Sequence, residues 1–184
     1  MTTDLFIPWS RYHQLIEALA ASIYRSEWHF NQIICLARGG LRIGDVLSRI
    51  YNQPLAILSV SSYCGEAYQT RGQVNLSKTL TMAEPSLGDR ILLVDDLVDS
   101  GATFIETLAW LQSEHNIQPD SCRTAVLWYK ECSQITPDYF VQRLPHSPWI
   151  HQPFEAYENQ PLTNLMEQFH STGSMISGQN HSAD

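Results

Sequence analysis

The sequence predicts an α/β protein built on a mostly parallel, twisted sheet flanked by helices. Three observations carry that expectation. Short apolar runs of strand length alternate along the chain with apolar residues at helical spacing, the pattern of a sheet with helices on its faces. The run "ILLV" (91–94) has no polar residue and follows Gly88-Asp89, which reads as a strand buried on both faces. Finally, "ARGG", "DDLVDSGAT" and "YKEC" each fall directly after a predicted strand, where open parallel sheets bind their ligands.

The elements follow in order. Ser10 caps a first helix running to about residue 24, with Leu15, Ile16, Leu19, Ala20 and Ile23 at helical spacing. "QIICLA" (32–37) is a strand and "RGG" its turn; a helix then carries Ile43, Val46, Leu47 and Ile50 on one face. "PLAILSV" (54–60) is a second strand. Between Ser61 and Pro85 the pattern fades into a long segment with few large apolar residues. "ILLVD" is a third strand, followed by a helix over 101–115. "CRTAVLWY" (122–129) and "DYFVQRL" (138–144) are two more strands. The stretch 145–161, rich in Pro and aromatics, cannot stay regular for long, and 171–184 is a small, polar, disordered tail.

The 184 residues, 43% hydrophobic and 16% charged, suit one soluble domain with a sizeable core. A formal net charge of -8 argues against a nucleic-acid partner, which needs clustered Lys and Arg, but leaves small phosphorylated ligands open. Cys35, Cys64, Cys122 and Cys132 have no zinc spacing and read as reduced and mostly buried. No signal peptide or membrane-length apolar stretch is visible, which predicts a cytoplasmic protein with no membrane partner.

The chemistry concentrates in "ILLVDDLVDSGAT". Asp95 and Asp96 repel each other at a strand end unless sugar hydroxyls or a cation sit against them. A hard ion such as Mg²⁺ suits carboxylates and substrate phosphates. Ser100, Gly101, Ala102 and Thr103 then open a helix, where free amides and hydroxyls form a nest for a phosphate monoester. A helix cap alone would explain one hydroxyl, but not the pair of acids. "ARGG" repeats the logic, since Gly39 and Gly40 let backbone amides approach an anion.

Over its whole length this stretch resembles the phosphoribosyl pyrophosphate motif of type I phosphoribosyltransferases. The resemblance implies that Asp95 and Asp96 hold the ribose 2- and 3-hydroxyls, near Mg²⁺ directly or through water. It places the 5-phosphate in the turn from Asp99 to Thr103. Asp99 matches the acid that 6-oxopurine enzymes carry beside purine N7, where it takes or shares a proton. Arg38, with Gly39 and Gly40, matches the family's pyrophosphate loop, which often contains a non-proline cis peptide. "SSYCGEAYQTRGQVNLSK" is similar to the mobile loop that closes over the site, with Ser62 and Tyr63 at its start and Arg71 and Lys78 as its only cations. Lys130 matches the lysine that donates to the purine 6-oxygen. "PWIHQPFE" resembles the hood of the bacterial xanthine-guanine and hypoxanthine enzymes. There Trp149 would stack on the base, Ile150 would offer backbone groups to position 2 and Glu155 would end the segment, with His151 in place of an expected acid.

The resemblance covers about residues 30–157. It implies one domain over 1–170 with a hood from about 138–160, magnesium-dependent purine salvage, and a homodimer or homotetramer. A regulator of the same fold that binds phosphoribosyl pyrophosphate or nucleotides without catalysis stays open here, as does a transferase for another acceptor base.

Overall fold

The computed structural model describes residues 4–62, 74–158 and 160–171. Strand β1 (Leu5–Phe6) leads into helix α1 (Trp9–Arg25), which buries Tyr12, Leu15, Ile16, Leu19, Ala20 and Ile23. Its cap differs from expectation. Pro8 occupies the N-cap with no side-chain hydrogen bond, and Ser10 lies inside the first turn, because a proline needs no amide partner there.

Strand β2 (Gln32–Ala37) is followed by α2 (Leu41–Tyr51) and by β3 (Leu55–Ser62), which runs parallel to β2. Gly44 lets α2 lie close on β2, since a Cβ at that residue would stand 2.7 Å from the Cys35 Cβ. Ile43 and Leu47 are fully buried, but Ile50, expected on the same face, is 52% exposed in the last turn. The segment read as featureless contains two short strands, β4 (Val74–Leu76) and β5 (Thr81–Met82), both antiparallel to β3.

Next come β6 (Ile91–Val94), β7 (Leu97–Val98), α3 (Ala102–His115), β8 (Cys122–Lys130), β9 (Tyr139–Leu144), β10 (Ile150–His151) and α4 (Leu162–Ser171). Helix α4, with Leu162 and Met166 exposed, had no counterpart in the sequence reading. The main sheet runs β4-β3-β2-β6-β8, with β9 on the far edge of β8; the separate pair β1-β10 is parallel.

Strands β6 and β7 belong to one line. Val94 pairs with Ala125 and Leu97 with Trp128, an equal step along both chains, so β7 resumes β6 in register after Asp95 and Asp96. The Asp96 carbonyl bridges the gap by accepting from the Leu127 and Trp128 amides at 3.1 Å each.

Helices α1 and α2 cover one face of the sheet and α3 the other. Leu92 and Val94 join the first core while Ile91 and Leu93 join the second, and all four are fully buried. That two-sided burial explains the unbroken apolar run, each such side chain contributing about 1.5–3 kcal/mol when removed from water. Cys35 and Cys122 are buried as expected, but Cys132 is exposed after β8; Cys64 falls outside the described residues. So do Tyr63, Arg71 and 172–184, most of the expected tail. No helix among the described residues is long and apolar enough to cross a membrane.

Candidate active site

The carboxylate pair occupies the gap between β6 and β7, at the C-terminal edge of the sheet. Burial pushes the Asp95 carboxyl well above its ordinary range, and the neighbouring Asp96 charge pushes it further. The amides of Asp96 and Gly40 offset part of this, the first by donating to Asp95 Oδ1 at 2.9 Å. Such a pair invites hydroxyl donors or a cation. Among the described residues no set of three or more His, Cys, Asp or Glu side chains could hold a metal. Two carboxylates fit an ion taking most of its ligands from substrate phosphates and water.

The turn before α3 is built by Gly101, whose φ of 87° lies in the left-handed region. A Cβ there would also meet Ser133 Oγ at 2.7 Å, so space and backbone both demand glycine. The Ser100 carbonyl accepts from the Gln134 amide at 3.0 Å, while Ser100 Oγ accepts from the Ala102 amide at 3.4 Å. Ser100, Ala102 and Thr103 thus stand at a helix start whose leading amides point out of the helix.

Lys130 ends β8, buried along its length, and its Nζ lies 3.3 Å from Asp99 Oδ1. Asp99 is 62% exposed, so the pair presents a buried ammonium and an open carboxylate to the same cleft.

The loop between β2 and α2 approaches the acids from the other side. A Cβ on Gly39 would stand 2.6 Å from Asp96 Oδ1 and 2.7 Å from Asp95 Oδ1, and one on Gly40 would overlap the Val94 carbonyl. The Ala37–Arg38 peptide is cis. Arg38 is exposed and pairs with Glu158 at 3.1 Å, a partner the sequence reading did not anticipate.

The hood is held through β1. The Leu5 and Ile7 amides donate to the carbonyls of Trp149 and His151 at 2.9 and 3.0 Å. Backbone groups alternate sides along a strand, so those of Ile150 face away from β1, while its side chain is buried. Trp149 is 63% exposed, leaving its ring open to a ligand. His151 stacks on Phe6 at 4.2 Å and places its Nε2 3.0 Å from Asp4, with Glu155 4.0 Å from Nδ1. Glu155 Oε2 thus lies beside the His151 ring at the end of the segment. Phe154 docks the hood on α2, beneath the Arg42 guanidinium at 4.1 Å.

Of the expected loop residues, Ser62 ends β3 and Lys78 is exposed just past β4, with no ion pair among the described residues. The sequence reading passed over Gln152, although it lies inside "PWIHQPFE"; its Nε2 donates to Asp96 Oδ2. It also passed over Tyr12. Burial and the nearby Asp96 charge raise that phenol's pKa, and its hydroxyl has no partner among the described residues.

Fold and site together define an α/β protein that presents a carboxylate pair and a glycine turn opening a helix at the strand ends. Residues 8–159 match the phosphoribosyl transferase domain, and the chain belongs to that family of enzymes. It is 28% identical over 155 residues to xanthine-guanine phosphoribosyltransferase from Idiomarina loihiensis, covering 84% of this chain and 88% of that one. The crystal structure of purine phosphoribosyltransferase from Pyrococcus horikoshii Ot3 superposes with a TM-score of 0.64 at 26% identity, covering 82% and 93%. The xanthine-guanine-hypoxanthine enzyme of Helicobacter pylori shares the fold, with a TM-score of 0.68 at 19% identity over 91% and 99% of the two chains. The mostly parallel sheet flanked by helices is therefore the type I phosphoribosyltransferase fold.

Proposed function

We propose that this enzyme transfers the 5-phosphoribosyl group of phosphoribosyl pyrophosphate to N9 of a 6-oxopurine, releasing pyrophosphate in a salvage reaction. The observation that carries the reading is the Lys130–Asp99 contact, a donor and an acceptor 3.3 Å apart beside the acid pair. The names of the Idiomarina and Pyrococcus relatives support it.

In this reading Asp95 and Asp96 accept hydrogen bonds from the ribose 2- and 3-hydroxyls. The Asp99–Thr103 turn takes the 5-phosphate on the α3 amides and on the hydroxyls of Ser100 and Thr103. Arg38, with the Gly39 and Gly40 amides, receives the pyrophosphate, for which Arg38 must leave Glu158. Trp149 offers its open face to the purine. Lys130 donates to the 6-oxygen, which a 6-amino group could not accept. As the N9–C1 bond forms and the C1–oxygen bond to pyrophosphate breaks, Asp99 takes or shares the N7 proton. Asp95 and Asp96 would hold Mg²⁺, which supplies charge neutralisation for the departing pyrophosphate when bound with it. One domain spans 1–170 in this reading, with its hood over about 138–160, assembling as a homodimer or homotetramer.

The test is nucleotide formation from phosphoribosyl pyrophosphate and Mg²⁺ with guanine, xanthine, hypoxanthine, adenine, uracil and orotate in parallel. Turnover confined to the 6-oxopurines is expected. Equal use of adenine, uracil or orotate would overturn the base assignment. Saturable binding of phosphoribosyl pyrophosphate with no turnover would leave a regulator instead.

A further inference from the structure

We propose that Gln152 is a positioning residue: from the hood, its amide fixes the orientation of the Asp96 carboxylate and so sets how tightly the ribose hydroxyls are held. The inference rests on the reading above, in which Asp96 receives that diol.

Gln152 is 8% exposed, and its Nε2 donates to Asp96 Oδ2 across 56 residues of sequence. Its Oε1 is also buried and has no hydrogen-bond partner among the described residues. A buried amide satisfied at one end only is a poor choice for packing, because methionine would fill similar space without stranding a carbonyl. What only the amide supplies is the N–H. Its orientation is settled by charge, since the reverse flip would set the carbonyl against a carboxylate.

Asp96 needs such a hold. Gly39 crowds its Oδ1 side, where a Cβ would stand at only 2.6 Å. Outside the acid pair itself, no other side chain among the described residues donates to that carboxylate. Gln152 in turn stands on a braced segment. His151 beside it is tied to Asp4 at 3.0 Å, and Phe154 lies under Arg42 at 4.1 Å. A rigid support behind a group that touches substrate is what keeps it in productive geometry. The stretch expected to face the purine thus also holds the ribose acceptor.

The experiment needs neither metal nor turnover for its main readout. Binding is measured by calorimetry in chelator, with guanosine, xanthosine or inosine 5′-monophosphate, whichever matches the base wild type uses best, and with its 2′-deoxy and 3′-deoxy counterparts. Wild type should prefer the ribonucleotide over at least one deoxy form by about ten-fold, as expected of a hydrogen bond to a charged acceptor. Gln152→Met should lose most of that preference while binding the deoxy form within about two-fold of wild type. Gln152→Leu, which also removes the donor and carries no titratable group, should do the same. In an Asp96→Asn background, Gln152→Met should change little further, because the two act as a unit.

Equal weakening of all nucleotides by Gln152→Met would make the residue structural and overturn the inference. So would a preserved ribose preference in both variants, additive effects with Asp96→Asn, or a wild type that binds ribo and deoxy forms alike. Those outcomes leave the transferase reading standing. A wild type that binds no purine nucleotide and turns over no base would overturn that reading and the inference with it.

Discussion

At Lys130 the chain places an ammonium where its side chain is 8% exposed, a position that costs free energy unless the charge is paired and bonded. Asp99 supplies the pairing from the open side of the cleft at 3.3 Å, and a purine would complete it. The two residues should fail differently. Lys130→Met keeps the length and removes the donor to the 6-oxygen, so discrimination against adenine should fall by about ten-fold or more in kcat/KM. Asp99→Ala should lower kcat by roughly 10²–10⁴ while leaving phosphoribosyl pyrophosphate affinity within a few-fold, as loss of a proton acceptor does. Steady-state kinetics with hypoxanthine and adenine, beside direct binding of phosphoribosyl pyrophosphate, checks both. Unchanged base selectivity would remove Lys130 from recognition, and equal loss of binding and turnover would make Asp99 a ligand-holding group only.

The elements show how two glycines in one loop do different work. Gly40 has φ -72°, open to any residue, so space rather than backbone freedom selects it: a Cβ would overlap the Val94 carbonyl of β6. Gly40→Ala should therefore force α2 and β6 apart and cost about 1–3 kcal/mol of stability, as overpacking does. The nearest atoms to a Gly39→Ala Cβ are side-chain atoms of the two acids, Asp96 Oδ1 at 2.6 Å and Asp95 Oδ1 and Asp96 Cγ at 2.7 Å, rather than backbone. That variant should fold with little change in Tm yet lose about 10²-fold in turnover, because displaced acids miss the ribose. Thermal melts and single-turnover rates separate the pair, and the reverse pattern would show that the loop does not brace the site.

The same scale decides what could be read from the chain. β6, the acid pair and the α3 turn are local, contiguous and bounded by a glycine that the backbone requires, so the sequence spells them out. β4 and β5 were invisible because each is two or three residues long and exists only by pairing with β3. Pro8 displaced Ser10 at the α1 cap because its fixed φ suits a helix entry without any hydroxyl. The bond from Gln152 to Asp96 spans 56 positions and depends on the hood folding back, which no periodicity reports.

Across the whole molecule, the acid pair sets function against stability. The unfolded chain ionises Asp95 near the ordinary aspartate value of 3.8, whereas burial and the Asp96 charge hold the folded pKa well above it. Between those two values the folded state binds more protons than the unfolded one, so stability falls as pH rises through that window. The contribution is complete below 3.8 and is lost above the folded pKa. Asp95→Asn removes the charge, keeps the shape and can still accept the Asp96 amide. The metal-free variant should therefore be more stable than wild type at neutral pH. That advantage should shrink steadily toward pH 4, while turnover is lost at every pH. Other carboxylates titrate in both proteins, so the difference between the two denaturation curves isolates this residue. The measurement is chemical denaturation in chelator from pH 4 to 8. A difference independent of pH, or a less stable variant at neutral pH, would show that the acid pair is accommodated by the fold rather than tolerated for its ligand.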